Sequence, residues 1–564
     1  MNQYEQIEIK NVDNLTNAIY EWENSGVSKG EVFTNKKTVE FMIDISEIFS
    51  TKNISHLHIL EPSCGQGDFV IPIAEQLLRI NQTLKNSLSV QELSTKIRAY
   101  DLISTNIEIV KKSLKEILKC FHYSPNEIQI LVNSWIIHGD FLQEFIELEF
   151  THIIGNPPYV RVENVPKELL SYYRNNFSTM SDRADLYIPF FEKSLSLLKE
   201  NGKLCFVCTD RWMKNKYGKK LRKLISENFS LDFYIELNGY DTFKSKALTY
   251  PAITIISKNK KSSTLVCKLS SIENDLQKEV IDSIHNRSTF NEKLFQISND
   301  IVKSDDPWLF DNKIKINLIR KLESNFNTME EEGCNVFIGA ATGNNKVFII
   351  DETINIEVDR KIPTITARDI KNGTLCWSGK YIINTYDKNG TIDLKNYPLL
   401  NTYLQRNKSI LSKRHIAQKS NKHWYKTIDK VYPERALMEK LIIPDIKLEF
   451  TAIYDEGNVH PNNSLYYICS DKWNLHALKA VLISGIGKFF ISAYSTKISH
   501  GFLRFQAQHL RRIRIPNWDS ISEEMKIELI EAGKMNDTKQ SRDLTSILYG
   551  LNKQEKELIG VKLK

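Results

Sequence analysis

Thr151-His152-Ile153-Ile154-Gly155-Asn156-Pro157-Pro158-Tyr159 is the stretch that decides how this chain is read. The apolar pair Ile153-Ile154 ends a buried strand, and a glycine followed by two prolines stops it abruptly. The turn then presents an amide acceptor on Asn156, a stiff backbone at Pro157 and Pro158, and a rigid aromatic face on Tyr159. An exocyclic amine on a nucleobase is a poor nucleophile, because its lone pair is delocalised into the ring. The Asn156 side-chain oxygen and the Pro157 carbonyl can accept its two N–H bonds and stabilise the positive charge that builds on nitrogen during attack. Tyr159 can stack on the ring. The same four residues also read as a plain strand-ending turn, so their neighbours must decide.

Upstream, residues 56–70 read His-Leu-His-Ile-Leu-Glu-Pro-Ser-Cys-Gly-Gln-Gly-Asp-Phe-Val. A strand ends in Glu61, a loop with Gly65 and Gly67 follows, and an amphipathic helix starts near Phe69. Strand, glycine loop and helix open a doubly wound α/β sheet, where ligands sit at the carboxyl ends of strands. Glu61 suits an ammonium group and repels a phosphate. A second strand, Ile97 to Tyr100, ends at Asp101, where this fold grips the two hydroxyls of a ribose. Asp101 also reads as a cap for the helix after Ser104. A third strand runs into Gly139-Asp140-Phe141, with Asp140 placed to accept from an adenine amine and Phe141 to pack on the purine. Further back, Thr34 and Asn35 precede a helix and read equally as its caps.

Downstream, a helix starting in Asp185–Phe191 and strands at Lys203–Cys208, Phe233–Leu237 and Ala252–Ile256 continue the alternation to about residue 260. The pattern predicts an α/β N-terminal domain (1–260) with a Rossmann-like, mostly parallel seven-stranded sheet. A linker region (261–310), a mixed α+β domain (311–520) and a helical tail (521–564) follow.

The 564 residues exceed what one core holds, and the +7 net charge permits a polyanionic partner without requiring one. No apolar run reads as long enough to span a bilayer, and the polar Met1-Asn2-Gln3-Tyr4-Glu5 does not read as a signal peptide. Cys205 and Cys208 form a lone CxxC in an apolar run, read as core thiols in a reducing, cytoplasmic setting; no metal site is expected. Residues 404–440 interleave Arg406, Lys408, Lys413, Arg414, Lys419, Lys422, Lys426, Lys430 and Arg435 with His415, His423, Trp424 and Tyr425. Arg504, Arg511, Arg512 and Arg514 form a second basic group. The first run suits a nucleic-acid backbone and also reads as a solvated helix face.

With Gly30–Asn35, Glu61–Gly67, Asp101, Asp140-Phe141 and Asn156–Tyr159 in that order, the chain resembles the gamma class (TaqI type) of DNA adenine-N6 methyltransferases. The resemblance covers the first ~260 residues well and is looser beyond, where Phe337–Lys346 and Arg504–Pro516 look like target-recognition segments. It implies S-adenosyl-L-methionine as cofactor, held by Thr34, Glu61, Pro62, Ser63, Cys64, Gly65, Gly67, Asp101, Leu102, Asp140, Phe141 and Asn156. Asn156, Pro157, Pro158 and Tyr159 would be catalytic. Phe243 looks like the aromatic that stacks on the flipped base opposite Tyr159, with Tyr250 its substitute. Arg406, Lys413, Arg414, Lys422, Trp424, Arg511 and Arg512 would meet double-stranded DNA. A separate restriction endonuclease and a monomer or weak dimer complete the expectation. The family usually has proline where this chain has Asn35. Two rivals share features: a protein-glutamine methyltransferase, which leaves the C-terminal half unexplained, and a non-catalytic specificity subunit, which predicts a damaged Asn-Pro-Pro-Tyr.

Overall fold

The computed structural model describes residues 15–26, 29–51, 53–84, 87–237, 242–244, 251–259, 263–269, 274–285, 295–298, 301–302, 304–371, 373–418, 421–495 and 502–560. Tyr250 lies outside them. The chain forms two compact units, Met1–Phe310 and Asp311–Lys564.

The first unit is built on one sheet whose strands are β1 (Ile59–Glu61), β2 (Ile97–Asp101), β3 (Ile136–His138), β4 (Phe150–Gly155), β5 (Leu198–Thr209), β6 (Ser230–Leu237), β7 (Pro251–Ser257), β8 (Thr264–Leu269) and β9 (Phe295–Ser298). Their order is β3-β2-β1-β4-β5-β7-β6-β8-β9. The expected seven-stranded sheet is therefore a mixed sheet of nine strands. β3 through β5 pair parallel, whereas β7 runs antiparallel to both β5 and β6. Residues 261–310, expected to be a linker, carry β8 and β9. β8 pairs parallel to β6 through Leu265, Val266 and Cys267, which are apolar and buried and so extend the sheet's core.

Side-chain alternation sorts the sheet into two apolar layers: Ile59 joins the layer of Phe41, Val70 and Leu77, while its neighbour Leu60 joins that of Phe141, Phe191 and Trp212. Cys205 and Cys208 are buried free thiols in these layers. The strand order reverses between β1 and β4, the crevice where open α/β sheets bind ligands. Glu61 ends β1 and Asn156 follows β4, so the two flank that crevice.

The second unit holds two four-stranded sheets. One is antiparallel, ordered Cys334–Ile338, Leu465–Ser470, Lys440–Pro444, Ile453–Asp455. The other is ordered Ile349–Asp351, Lys380–Ile383, Lys361–Ile365, His460–Pro461. Helices Glu523–Met535, Thr538–Leu548 and Lys553–Gly560 follow. Contrary to the sequence expectation, the helical run Leu475–Tyr494 is long and apolar enough to cross a membrane by length and composition. It is mostly buried inside this unit, and it kinks at Gly485, whose φ is 118°. These are the marks of a core helix.

Candidate active site

The carboxyl ends of β1 to β4 border an open pocket with a cavity volume of about 100 Å³. Of the residues expected to hold a cofactor, Thr34, Glu61, Pro62, Ser63, Cys64, Gly65, Asp101, Leu102, Asp140, Phe141 and Asn156 line it. Gly67 does not. Its φ is +94° and a Cβ there would sit 2.6 Å from the Ile71 side chain, so glycine lets the loop pack closely onto the following helix.

Asp101 ties the loops together. Its Oδ2 accepts the Gly65 N–H (2.8 Å) and its Oδ1 the Ile103 N–H (2.9 Å), so the loops after β1 and β2 are fixed by one carboxylate. The helix Ser104–Cys120 takes Ile103 as its N-cap, without a side-chain cap bond. Asp140 accepts the Leu142 N–H (3.0 Å) and the Tyr173 hydroxyl (2.7 Å). Phe141 is buried against Tyr100 and Phe190 at ring distances of 5.8 and 5.3 Å.

The pocket is acidic. Glu31, Glu61, Asp68, Asp101 and Asp140 line it against a single lysine, Lys29. Burial raises the carboxyls of Glu61, Asp101 and Asp140, with the nearby Asp68 and Asp101 adding to the rise at Glu61. A cation placed among them would favour their ionised forms, whereas a phosphate would add repulsion. The buried Glu61 Oε2 has no hydrogen-bond partner among the described residues.

Asn156 is oriented by its nitrogen. Nδ2 donates to the Val32 carbonyl at 2.6 Å and to the Thr34 hydroxyl at 3.2 Å. A carbonyl can only accept, so the amide is locked with nitrogen towards Val32. Among the described residues its Oδ1 is left buried and without a partner. The Ser63 hydroxyl donates to the Asn156 carbonyl (3.0 Å), joining this turn to the β1 loop. Tyr159 N–H donates to the Gly30 carbonyl at 3.1 Å. Gly30 has φ +72°, and a Cβ there would lie 2.6 Å from the Tyr159 backbone, so only glycine permits this approach.

Thr34 pairs with Phe243 across an isolated antiparallel bridge. Asn35 caps the helix Lys36–Ile45 through its side chain, and its N–H donates to the Thr242 carbonyl at 2.9 Å. A proline there would lack that donor, so the asparagine adds a bond to the bridge. Phe243 is buried beside Tyr159 with ring centroids 6.1 Å apart, but the planes meet at 78°. That is an edge contact, not two parallel faces.

Sequence reasoning left several lining residues unassigned. Asp68 accepts the Thr34 N–H (2.9 Å) and pairs with Lys244 (2.6 Å). Its position after the glycine loop was the available signal. Trp22, Tyr173 and Phe190 also line the pocket, from elements that carry no motif.

The expected DNA-contacting residues of the second unit divide. Arg406, Lys413 and Lys422 are exposed. Arg414 donates to the carbonyls of Leu411, Thr342, Trp424 and Lys426 and stacks on Phe348, which commits its guanidinium to holding the unit together. Trp424 is a core residue, buried with Leu400, Leu404 and Tyr425. Arg511 is paired with Glu330 and the Val336 carbonyl, and Arg512 lies over the Tyr494 ring, 4.0 Å from Glu323.

Residues 68–243 match the family model of the Eco57I restriction-modification methylase, and residues 362–515 that of the TaqI-like C-terminal specificity domain. The Type II methyltransferase M.PaeR7I of Pseudomonas aeruginosa is 39% identical over 541 residues, covering 94% of each chain. M.XhoI of Xanthomonas vasicola, another Type II methyltransferase, is 38% identical over 94% of this chain and 99% of its own. Among solved structures, the Type IIL restriction-modification enzyme MmeI in complex with DNA superposes with a TM-score of 0.60 at 14% identity, over 93% of this chain and 77% of that one. That likeness bears on the fold.

Proposed function

Since this chain belongs to the Type II restriction-modification methyltransferases that carry a TaqI-like specificity domain, we propose that it methylates the N6 amine of a specific adenine in double-stranded DNA. The observation that carries the reading is the Asn156 amide, locked through Nδ2 with a buried, unpartnered Oδ1.

The pocket fits S-adenosyl-L-methionine: it is acidic, its glycine loop is open to a ligand, and Glu61 Oε2 is an orphaned acceptor suited to an ammonium group. When bound, that cofactor supplies an electrophilic methyl group. Glu61 would hold the ammonium end, Asp101 the ribose, and Asp140 with Phe141 the adenine. The target base leaves the duplex to reach the site. Tyr159 stacks on it, and Phe243 must turn from its edge contact to offer a second face. Asn156 Oδ1 and the Pro157 carbonyl accept the two N–H bonds of the amine, drawing its lone pair out of the ring as positive charge develops. Positioning and fixed dipoles carry the rate enhancement.

The second unit supplies site recognition, the setting is the cytoplasm, and a separate endonuclease would cut the unmodified site. Monomer or weak dimer is the working assembly. The test is transfer of labelled methyl to duplex DNA followed by digestion to nucleosides. Label in N6-methyl-2′-deoxyadenosine supports the proposal; label in a methylated deoxycytidine, or only in protein glutamine, refutes it.

A further inference from the structure

Among the half-buried arginines of the second unit, one stands apart. Arg360, Arg414, Arg504, Arg512, Arg514 and Arg542 are half-buried, and each reaches a carboxylate or a backbone carbonyl of the protein. Arg320 does the same through Glu323. Arg435 is also half-buried, yet among the described residues no carboxylate lies at ion-pair distance from it. It sits instead over two aromatic rings, 4.5 Å from the Phe337 centroid and 4.1 Å from the Tyr432 centroid. The arrangement continues at both ends. Lys430 lies over Tyr432 at 5.2 Å, and Phe337 stacks on Tyr467 at 5.2 Å with planes 29° apart. The Tyr467 hydroxyl lies beside the Arg435 guanidinium, which acts on it as a hydrogen-bonding cation.

The frame under this ladder is rigid. Phe337 and Tyr467 are directly opposite each other on paired strands. The short helix Pro433–Ala436, which carries Arg435, is anchored by Lys440. That buried ammonium donates to the Ala436 carbonyl (3.0 Å) and pairs with the buried Asp455 carboxylate (2.8 Å). Ring faces engage the plane of a guanidinium and leave its N–H edges in place as a planar fork, suited to two adjacent acceptors. On DNA, two such acceptor pairs exist: O6 and N7 of guanine in the major groove, and two oxygens of a phosphate.

We infer that Arg435, held by Phe337 and Tyr432, is a DNA-contacting residue whose fork takes a bidentate acceptor pair of the target site. The inference rests on the reading of this chain as a DNA methyltransferase and names a residue for its specificity unit. The basic run in the sequence contains Arg435 but gives no reason to prefer it over its neighbours. The ring stacking gives that reason.

The experiment uses the full-length chain and the variants R435K and R435Q. The methylated sites of wild type are first mapped on DNA from cells expressing it. Binding to the mapped duplex, and to duplexes changed one base pair at a time, is then measured across a salt series. Thermal unfolding is followed in parallel. Loss of discrimination at one G·C position, on the order of 10- to 100-fold, supports the inference and places the fork on guanine. Uniform weakening across all sequences, with a salt slope shallower by about one, supports it and places the fork on phosphate. R435K keeps a cation over the rings and so isolates the fork. A folded R435K with wild-type affinity, salt slope and site preference overturns the inference, even if both variants unfold at lower temperature. Wild-type protein that methylates no DNA refutes the underlying function, whatever Arg435 does.

Discussion

The pocket at the strand ends of the first unit and the basic stretch of the second were both marked by charge in the sequence, yet they fold to opposite effect. In the pocket, acids at fixed places after β1, β2 and β3 converge on one cavity. In the basic stretch, cations near one another in sequence separate into exposed ones such as Lys413 and Lys422 and internal cross-links such as Arg414. The difference teaches that strand topology dictates where a residue at a strand end must lie. What a surface cation does depends on which distant carbonyl or carboxylate it finds.

The largest stability effect should fall on the second unit. Lys440 and Asp455 are an ion pair with both side chains essentially inaccessible to solvent. Asp455→Ala leaves the ammonium buried and unpaired, and should lower stability by about 3–5 kcal/mol in denaturant unfolding. The equivalent loss in Asp101→Ala should be smaller.

Acid should weaken both units, the first through His152 and the second through His460, each held at about 4 by burial. Burial holds His460 at about 4, below its usual value, and its Nδ1–H donates to the Pro461 carbonyl. The unfolded chain takes up a proton below roughly pH 6.5 while the folded one does not. Stability contributed by the neutral imidazole is therefore full above pH 6.5 and falls as pH drops towards 4. That loss amounts to roughly 2–3 kcal/mol. His460→Gln should flatten the decline between pH 6.5 and 4.5; an unchanged slope would remove His460 as a source.

For the pocket, Asp101→Ala removes the acceptor shared by Gly65 and Ile103 and, by the proposal, the ribose contact. Cofactor affinity by titration calorimetry should fall about 10- to 100-fold while DNA binding is kept. Unchanged affinity would mean the ribose is held elsewhere.

The smallest effects sharpen the comparison within the basic stretch. Arg414→Ala should destabilise by about 2 kcal/mol through lost carbonyl contacts. Arg406→Ala and Lys422→Ala should change stability by less than about 0.5 kcal/mol, and each should reduce the salt slope of DNA binding by about one. If Arg414→Ala were as stable as the others, the division between cross-links and free cations would fail.

Much of the first unit was legible because its signals are local. A short apolar strand, an acid and a glycine loop lie within a dozen residues at Ile59–Asp68, and eleven of the residues they and their counterparts nominated do line one pocket. Strand count was not legible. β8 and β9 follow a polar stretch, and only their pairing with β6 and with each other gives them a place in the sheet. Gly67 lies outside the pocket lining, since a positive φ serves close packing as well as ligand approach. The internal contacts of Trp424 and Arg414 were not legible because a basic-aromatic run does not show which groups will surround each side chain; one acceptor for Arg414, Thr342, is 72 residues away.

The central claim is that Asn156 acts on the amine, not on the cofactor or the duplex. Single-turnover transfer of labelled methyl to duplex DNA, with cofactor and DNA binding measured separately, tests it most directly. Asn156→Ala should bind both ligands near wild-type affinity and lose roughly 100- to 1,000-fold in the transfer rate, as when one preorganised acceptor is removed. A folded Asn156→Ala protein that binds both and transfers methyl at near wild-type rate would contradict the account.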